Sequence, residues 1–466
     1  PDNLDLGVML PYAPLHHLLF ARGAPEVLVL TSANRSSEPI AYLDDDAFAR
    51  LAGVADAFLV GERPIARRVD DSVATVSALG PMILRRSRGY APGAVGRLPG
   101  GPPLLAVGAD LKGSVTLVVG GDAFVSQYIG DLEQYQALLA HRRTVDDLLA
   151  MYRVERDELT VAHDLHPAYH STAAAEELRA RARVAVQHHR AHVASVLAER
   201  GCFEQRVLGV ALDGTGHGDD GAIWGGELFA GSLVEGFVRR GSLHSALLPG
   251  GDAAARFPAI AAAGFLAAID DLPDLRAAPF SLPDRYFDAR RLITAGVRTF
   301  PTTSTGRLFD TAAALLGFVR PVSFEGQAAI WLEHQARAAR ATGTLAMPFA
   351  DARLDWRPAL RELIERRARG DHPAELARAF HRGLADGLVA ALATLAEETG
   401  TRTVALSGGV LQNRLLLELL ASAAPDAGLE LWTNRLVPAN DGGVSLGQAA
   451  LVRCQEGAAD TPLRLT

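Results

Sequence analysis

The stretch Val186–Gly216, VQHHRAHVASVLAERGCFEQRVLGVALDGTG, carries two histidines one helical turn apart and then an aspartate among glycines. In an α-helix, residues i and i+4 lie on one face about 6 Å apart. His188 and His192 are therefore predicted to direct two imidazoles toward one point. Arg206–Leu212 is predicted to be a buried strand, so the stretch indicates a helix followed by a strand in an α/β fold.

The residues after that strand strengthen the case for a metal site. Histidine pairs at this spacing also arise by chance in a chain with 14 histidines, and a packed or solvated helix face is the alternative. However, the strand delivers Asp213 into the predicted glycine-rich turn Gly214-Thr215-Gly216. A hard oxygen ligand beside N–H groups that cradle phosphate suits a metal-assisted nucleotide site.

Composition narrows the functional class. The chain has 466 residues, which predicts two or three domains. Its formal net charge of -8 gives no general support for nucleic-acid binding. The two cysteines, Cys202 and Cys454, exclude a disulfide framework and cysteine-rich zinc fingers. With no signal peptide and no apolar run that would cross a bilayer, we expect a cytoplasmic protein without a membrane partner.

The first segment contains two helix patterns and two strand-like runs. The helices are predicted at Leu15–Phe20 and Asp45–Leu51, and the strands at Leu6–Tyr12 and Val27–Thr31. Ser32 and Asn34 would then emerge at the carboxyl end of a strand, where ligands bind in α/β folds. Because the chain begins on Pro rather than Met, we also expect it to be part of a longer protein.

A pattern of strand, acidic or hydroxyl residue and glycine-rich turn occurs three times after the Gly- and Pro-rich linker predicted at Gly93–Pro103. It begins at Leu104, at Leu208 and at Thr403, and the first copy supplies Lys112 for phosphate. Three such turns resemble the duplicated actin-like ATPase fold, in which two half-domains enclose a nucleotide.

Amphipathic helices are predicted between these turns, at Leu132–Tyr152, Arg307–Leu316, Ala374–Thr399 and Asn413–Ala423. The segments 276–298 and 336–360 lack clean periodicity and are predicted to be irregular inserts. For three further candidates we favour structural roles over functional ones. His163 and His166 look like a ligand pair but are predicted to lie in a structural loop. Glu325 is predicted to be a helix-dipole partner rather than a substrate contact, and Gly250 and Gly251, before Asp252, a turn rather than a substrate-facing loop.

Runs of sequence along almost the whole chain resemble the HypF family, the carbamoyltransferases of nickel-iron hydrogenase maturation. The matching runs are LPYAPLHHLL, TSANRSSEPI, RPIARRVDDSV, RRSRGYAP, AVGADLKG, SQYIGDLE, AHDLHPAYHST, VQHHRAHVAS, DGTGHGDDGAIWGGE, LPGGDAAARFP, GRLFDTAAALLG, EGQAA, ALSGGVLQNRLL and VPANDGGVSLGQAA. The resemblance implies a partial YrdC-like α/β domain followed by a duplicated actin-like, Kae1-like domain.

The implied domain order is a YrdC-like C-terminal part at 1–95, a linker at 96–103 and a Kae1-like carbamoyl-transfer domain of two actin-like subdomains at 104–466. The family's acylphosphatase domain and zinc fingers are missing from this sequence. The YrdC-like part also lacks the half that carries several basic contacts in the family. We therefore expect this polypeptide to transfer the carbamoyl group rather than to synthesise carbamoyl adenylate efficiently.

The resemblance also implies an activity. The family makes carbamoyl adenylate from carbamoyl phosphate and ATP and moves the carbamoyl group to the C-terminal Cys of HypE. The implied metal ligands are His188, His192, Asp213 and Asp441. The implied phosphate and nucleoside contacts are Lys112, Gly214, Thr215, Gly216, Asp310, Ser407, Gly408, Gly409 and Asn413 in the Kae1-like part, and Ser32, Asn34, Arg68 and Ser72 in the YrdC-like part.

The residue types agree with that chemistry. Two imidazoles and two carboxylates suit iron(II) or zinc, and the sequence does not choose between them. Lys112 and Asp213 are the predicted catalytic residues, with Lys112 offsetting charge on the departing AMP phosphate. No Ser-His-Asp or Cys-His set is apparent, so the nucleophile is expected to come from the acceptor.

Three other functions remain open at this point. A small-molecule O-carbamoyltransferase uses the same two modules, but with the Kae1-like domain first. The tRNA threonylcarbamoyl transferases share the metal helix, but they lack the fusion. A non-catalytic nucleotide-binding module would bind nucleotide and show no carbamoyl transfer.

Overall fold

The structure, a computed structural model, describes residues 3–35, 38–340 and 343–456. Contacts along the chain divide it into a smaller unit, Pro1–Asp70, and a larger unit, Asp71–Thr466. Each unit is described by itself. Residues 36 and 37 of the TSANRSSEPI run, and 341 and 342 of the second predicted insert, lie outside the described residues.

The smaller unit contains the two predicted helices. α1 is Pro14–Ala21 and begins on a proline, whose missing N–H costs nothing at a helix start. α2 is Asp44–Leu51, with three aspartates in its first turn that favour the positive end of the helix dipole. Both helix predictions are confirmed.

The two strands predicted in this unit are wrong. Residues 6–12 and 27–31 are described, and neither run is a strand. A strand needs a neighbour to receive its backbone hydrogen bonds, and within the described residues of Pro1–Asp70 no two segments form such a ladder. Apolar side chains of these runs, such as Leu6 and Val29, are exposed.

The described part of the larger unit contains three sheets. The first sheet is a hairpin of β1 (Val73–Ser77) and β2 (Gly80–Arg85). The second contains β3 (Ala94–Arg97), β4 (Leu104–Ala106), β5 (Thr116–Val119), β6 (Asp122–Val125), β7 (Thr160–Asp164) and β8 (Ala182–Val186). The third contains β9 (Val207–His217), β10 (Ile223–Ser232), β11 (Gly236–Leu243), β12 (Ala246–Pro249), β13 (Thr299–Thr302), β14 (Phe349–Ala350), β15 (Arg353–Leu354), β16 (Thr403–Ser407) and β17 (Glu430–Thr433).

The two large sheets repeat one topology. The second sheet runs β6-β5-β4-β7-β8 after its edge strand β3, and the third runs β11-β10-β9-β16-β17 through its middle. In both, the first three strands in sequence pair antiparallel, and the last two add in parallel beside the first. This repeat is the duplication predicted for an actin-like domain, so the predicted fold class is confirmed.

The helices connect and cover these sheets. Around the second sheet they are α3 (Tyr135–Tyr152), α4 (His170–Glu177) and α5 (His188–Ala198). The remaining helices are α6 (Ala253–Arg256), α7 (Pro258–Phe265), α8 (Asp284–Thr294), α9 (Thr305–Leu316), α10 (Gln327–Ala338), α11 (Arg357–Ala368), α12 (Pro373–Thr399), α13 (Arg414–Ala423) and α14 (Val444–Glu456).

The four predicted amphipathic helices correspond to α3, α9, α12 and α13; their starts differ from the prediction by one to three residues, and their C-terminal ends agree with it. The predicted inserts are more regular than their sequences indicate. The segment 276–298 contains α8, and 336–360 contains β14, β15 and the start of α11. Tertiary packing stabilises these elements although their sequences lack clean periodicity, because Tyr286 of α8 and Leu360 of α11 are buried in the core.

One apolar core joins the two large sheets. It contains residues of α5 and α14 together with Leu104 of β4, Val207 of β9 and Ala405 of β16. α5 and α14 pack closely, since a side chain on Gly447 would meet the carbonyl oxygen of Ala191. This core therefore fixes the position of the histidine-bearing helix.

The predicted linker begins with structure. Ala94–Arg97 is β3, which pairs antiparallel with β6 at the edge of the second sheet. Backbone pairing of this kind makes 94–97 part of the larger unit rather than a free tether. The assignment of 1–95, 96–103 and 104–466 as YrdC-like part, linker and Kae1-like part remains a prediction.

Candidate metal centre and phosphate-binding loops

The histidine-bearing helix is buried on almost every side. α5 begins after Gln187, whose side chain accepts a hydrogen bond from the Arg190 backbone N–H at 2.9 Å. Ten of the eleven residues of α5 are buried, which is typical of a helix inside a core. His188 and His192 lie one turn apart with no exposed surface, so the predicted pair is a buried polar site.

The strand that carries Asp213 differs from the prediction. β9 does not end before the glycines but runs on to His217, and its pairing with β10 shifts register between Trp224 and Gly226. The parallel neighbour β16 stops opposite Ala211. Asp213 therefore lies beyond the last residue of β9 that pairs with β16, and the predicted turn at 214–216 is part of the strand that continues along β10.

Asp441 reaches the same place from the end of the chain. It begins a short 3-10 turn, Asp441–Gly443, just before α14. The Asn440 side chain accepts a hydrogen bond from the Gly442 N–H at 3.0 Å and donates one to the Leu84 carbonyl at 3.1 Å. These bonds tie the turn to the β1–β2 hairpin.

Four side-chain atoms converge here, one each from His188, His192, Asp213 and Asp441, all within 4.8 Å of one another. The His188 Nε2 lies 3.4 Å from an Asp213 oxygen and 3.7 Å from an Asp441 oxygen. The His192 Nε2 lies 3.5 Å from each. A tetrahedral ion with bonds of about 2.0–2.2 Å holds its ligand atoms about 3.3–3.6 Å apart, and the observed separations agree with that spacing.

The electrostatics of the cluster also fit a cation. Neither His188 Nε2 nor His192 Nε2 has a hydrogen-bond partner among the described residues, although both are buried. Burial lowers the pKa of His188, but the carboxylates of Asp164 and Asp441 outweigh burial and raise it well above its ordinary value. Burial raises the pKa of Asp213, but the two imidazoles outweigh that effect and lower it. The residues present therefore fit a divalent metal.

Sequence reasoning missed one residue of this cluster. Asp164, at the end of β7, is fully buried and accepts a hydrogen bond from the His188 Nδ1 at 2.8 Å. It lies between His163 and His166, the pair predicted to be structural. His163 is on β7 and His166 follows it, stacked on Tyr169 at 4.2 Å between ring centroids.

Lys112 lies beside the cluster on the turn between β4 and β5. Its loop contacts the turn that carries Asp441, because the Ser114 hydroxyl donates to the Gly442 carbonyl at 2.9 Å. The Lys112 ammonium forms an ion pair with Glu325, which precedes α10. Burial lowers the pKa of Lys112, but Glu325 and then Asp441 outweigh it and raise the pKa to about 12. Glu325 is therefore the counter-ion of the predicted phosphate lysine, which its prediction as a dipole partner missed.

A second glycine loop touches the metal cluster directly. The Gly409 N–H donates a hydrogen bond to an Asp213 oxygen at 3.0 Å. Gly408 has a φ of +104°, and a side chain there would lie 2.2 Å from the Leu212 carbonyl oxygen. Only glycine fits such a position, so the Ser407–Gly409 loop is held against β9, the strand that carries Asp213.

The other residues of the larger unit that are predicted to bind the nucleoside are buried and have partners within the protein. The Ser407 hydroxyl is buried and donates to the Asn434 side chain at 2.8 Å. Asn413 caps α13 by accepting from the Leu416 N–H at 2.8 Å. Asp310 lies 2.8 Å from Arg307 in an ion pair that lacks hydrogen-bond alignment, and burial raises its pKa to about 6.

The predicted YrdC-like contacts fall in both units. Ser32, Asn34 and Arg68 belong to the smaller unit, where the Ser32 hydroxyl donates to the Asn34 side chain. Ser72 belongs to the larger unit; its hydroxyl donates to the Arg88 carbonyl at 2.8 Å and accepts from the Ser87 N–H at 2.8 Å. Their roles in binding nucleotide remain predictions.

Two smaller expectations concern the loops around the site. Gly250 and Gly251 form a turn, with φ of +77° and +59°, as predicted. Thr215 is exposed, while Gly216 is buried against the His188 and His189 rings.

Among the described residues, no helix is both long enough and apolar enough to cross a membrane.

Comparison with protein families matches three segments. Residues 209–448 match the carbamoyltransferase Kae1-like domain, second subdomain, and residues 99–199 match the HypF Kae1-like domain. Residues 1–87 match the telomere recombination family, Sua5/YciO/YrdC.

Individual relatives agree with these matches. The chain is 40% identical over 463 residues to carbamoyltransferase HypF of Rhizobium leguminosarum bv. viciae, covering 97% of this chain and 59% of that protein. A carbamoyltransferase HypF homolog of Cupriavidus necator is 37% identical over 77% of this chain and 94% of its own length. The chain spans about three fifths of the first curated relatives it matches.

Solved structures give the same result. A crystal structure of full-length HypF in a phosphate- and nucleotide-bound form aligns with a TM-score of 0.88 and 35% identity, covering 97% of this chain and 71% of that one. T. kodakarensis HypF aligns with a TM-score of 0.90 and 33% identity, covering 97% and 61%.

Proposed function

The chain belongs to the HypF carbamoyltransferase family, and from that premise we propose that it transfers the carbamoyl group of carbamoyl adenylate to the C-terminal Cys of a HypE-like protein. Carbamoyl phosphate and ATP are the proposed sources of the adenylate. The observation that carries the proposal is the four-ligand cluster of His188, His192, Asp213 and Asp441, beside Lys112 and the Gly409 loop.

The metal is the first proposed component. His188, His192, Asp213 and Asp441 would hold one divalent iron or zinc ion. When bound, such an ion supplies Lewis-acid polarisation of a carbonyl or phosphoryl oxygen and a template for orientation. Two carboxylates and two neutral imidazoles would balance its double charge.

The proposed roles of Lys112 and the glycine loops concern the AMP phosphate. The Lys112 ammonium is paired to the carboxylate of Glu325 and also lies within the electrostatic influence of Asp441. An incoming phosphate would compete with Glu325 for that ammonium. The Gly409 N–H is taken by Asp213, so the other backbone N–H groups of the segments around Gly214 and Gly409 are the proposed neutral donors to the phosphate.

The proposed chemical step breaks the bond between the carbamoyl carbon and the AMP phosphate oxygen. The thiolate sulfur of the acceptor forms the new bond to that carbon, AMP leaves with the electron pair, and the thiol proton is released. Lys112 stabilises the charge that develops on the departing phosphate. The acceptor itself is the nucleophile, so the chain needs no catalytic serine or cysteine.

The test supplies carbamoyl adenylate directly, because that isolates transfer from synthesis. A peptide with the C-terminal sequence of a HypE-like protein is expected to gain one carbamoyl group, detected by mass spectrometry, while a Cys→Ser peptide gains none. Equal labelling of the serine peptide would point to an O-carbamoyltransferase. Binding of AMP without any transfer would leave only a nucleotide-binding module.

A further inference from the structure

The buried carboxylate of Asp164 lies outside the four predicted ligands, yet the sheet places it against one of them. β7 and β8 pair in parallel, with Asp164 opposite Val186 at their carboxyl ends. The chain leaves β8 and begins α5 two residues later with His188. Strand register therefore brings the carboxylate beside the first histidine of the helix.

Both oxygens of Asp164 accept hydrogen bonds from fixed donors. One oxygen accepts from the His188 Nδ1 at 2.8 Å, and the other accepts from the His166 backbone N–H at 2.8 Å. A carboxylate oxygen accepts, so this 2.8 Å contact favours the tautomer in which the Nδ1 carries the hydrogen. The other ring nitrogen, Nε2, then keeps its lone pair and lies 3.4 Å and 3.7 Å from Asp213 and Asp441.

His192 provides an internal contrast. It is as deeply buried as His188, but within the described residues neither of its ring nitrogens has a hydrogen-bond partner. Its Nε2 faces Asp213 and Asp441 at 3.5 Å, but its Nδ1 faces no described carboxylate at hydrogen-bond distance. The two histidines of the cluster therefore differ, because only the ring of His188 is held by a carboxylate.

We propose that Asp164 is a positioning residue, which fixes the Nδ1–H tautomer of His188 and so directs the Nε2 lone pair to the metal. The inference rests on the proposed function only in assuming that this cluster binds a metal. Its measurement needs no carbamoyl substrate, so its failure and the failure of carbamoyl transfer are distinguishable. Carboxylate partners of this kind typically change metal affinity by about 10–100-fold.

Two substitutions, Asp164→Asn and Asp164→Ala, distinguish a positioning role from a structural role, because the two roles predict opposite orders of Zn²⁺ affinity for these variants. An asparagine at 164 has the same shape but only one accepting oxygen. If that oxygen serves His166, its NH₂ group faces the His188 Nδ1 and moves the ring hydrogen to Nε2, where it blocks the metal. If the oxygen instead accepts from His188, the NH₂ group opposes the His166 N–H, and two buried donors face each other. This second orientation is costly, so we expect the first one, in which the metal is blocked.

Asp164→Ala removes both acceptors but imposes no tautomer on His188. A positioning role therefore predicts that Asp164→Asn weakens Zn²⁺ binding more than Asp164→Ala does. A structural role predicts the reverse, because the isosteric asparagine fills the space and alanine leaves a cavity.

The experiment measures Zn²⁺ affinity of the folded chain by chelator competition. We expect a loss of about 10–100-fold for Asp164→Asn and a smaller loss for Asp164→Ala. Asp110→Asn is the matched control. Asp110 is also buried and accepts from a histidine Nδ1 at 2.8 Å, but its partner is His170, which is not in the cluster. This control is expected to keep wild-type Zn²⁺ affinity.

A second measurement does not depend on the variants folding. In wild-type protein labelled with ¹⁵N-histidine, Zn²⁺ is expected to shift the Nε2 resonance of His188 while its Nδ1 remains protonated. Wild-type affinity in a folded Asp164→Asn variant, a larger loss in Asp164→Ala, or zinc on the His188 Nδ1 would each overturn the inference. So would a wild-type chain that binds no Zn²⁺.

Discussion

Substitution of Gly447 by alanine is predicted to disrupt the metal site from a distance, by separating α5, which carries His188 and His192, from α14, the helix that follows Asp441. Gly447 lies on α14, the helix that follows Asp441, and its Cα faces the backbone of α5. A Cβ at this position would lie 1.8 Å from the Ala191 carbonyl oxygen. Ala191 is the residue before His192, so the clash lies inside the ligand helix.

The size of the displacement follows from that distance. Real Cβ atoms do not approach other heavy atoms closer than 3.0 Å, so α14 and α5 must separate or tilt by about 1 Å, since a packed core leaves no other space. Metal sites tolerate changes of about 0.2 Å in ligand distance. We therefore expect Zn²⁺ affinity to fall at least about tenfold, equivalent to about 1.4 kcal/mol.

Stability also changes, and a control separates the two effects. Overpacking typically costs about 1–3 kcal/mol, and the better helix propensity of alanine offsets about 1 kcal/mol of it. Gly383→Ala introduces the same kind of clash, 1.7 Å from the Leu345 carbonyl oxygen, on α12. α12 carries none of the four ligands.

The assay combines chelator competition with chemical denaturation of both variants. Both are expected to lose stability, but only Gly447→Ala is expected to lose Zn²⁺ affinity. If a folded Gly447→Ala protein binds Zn²⁺ as tightly as the wild type, the helix contact does not set the ligand geometry. Equal losses of affinity in the two variants would show a general effect of destabilisation instead.

Three further predictions concern other parts of the site and core. His188→Ala and His192→Ala should each retain less than about a tenth of the wild-type metal content, whereas Arg190→Ala on the same helix should retain all of it by elemental analysis. Glu325→Gln frees the Lys112 ammonium and should tighten AMP binding by about threefold to tenfold in calorimetry; unchanged affinity would mean that phosphate does not use Lys112. Burial lowers the pKa of His381 to about 4. Between pH 6.5 and 4, the His381 imidazole is therefore protonated in the unfolded chain but not in the folded chain. The wild type should therefore lose about 3 kcal/mol of unfolding free energy relative to His381→Gln as pH falls from 7 to 4, and parallel stability curves would contradict this.

Sequence patterns predicted the elements around the site more reliably than the contacts between them. The i, i+4 spacing of His188 and His192 needs only helix geometry, so it was visible without a structure. The position of Asp213 between a predicted strand and a glycine-rich run made it a candidate ligand, and the resemblance supplied Asp441. The continuation of β9 through the predicted turn at 214–216 was not predictable, because it depends on pairing with β10.

The missed contacts share a physical cause. The pairing of Asp164 with His188 depends on the register of β7 against β8. The ion pair of Lys112 with Glu325 spans 213 residues of sequence. No local pattern encodes either contact, although a buried acid between two histidines in HDLHP was a signal that deserved a functional hypothesis.

The wrong strands in residues 6–12 and 27–31 have a different explanation. Their apolar runs satisfy a strand's side-chain preferences, but a strand also needs a partner for its backbone groups. Within the described residues of the smaller unit, that partner is missing. The apolar composition of these runs therefore indicated a propensity for strand, but it did not show whether another segment would pair with them.

The most direct test of the central claim is carbamoyl transfer before and after removal of the metal. The chain is stripped with a chelator, its folding is checked by circular dichroism, and it is given carbamoyl adenylate and a HypE-like C-terminal peptide. We predict that the stripped protein does not label the peptide and that labelling returns when one equivalent of iron(II) or zinc is added. Full labelling of the peptide by the stripped, folded protein would contradict the account.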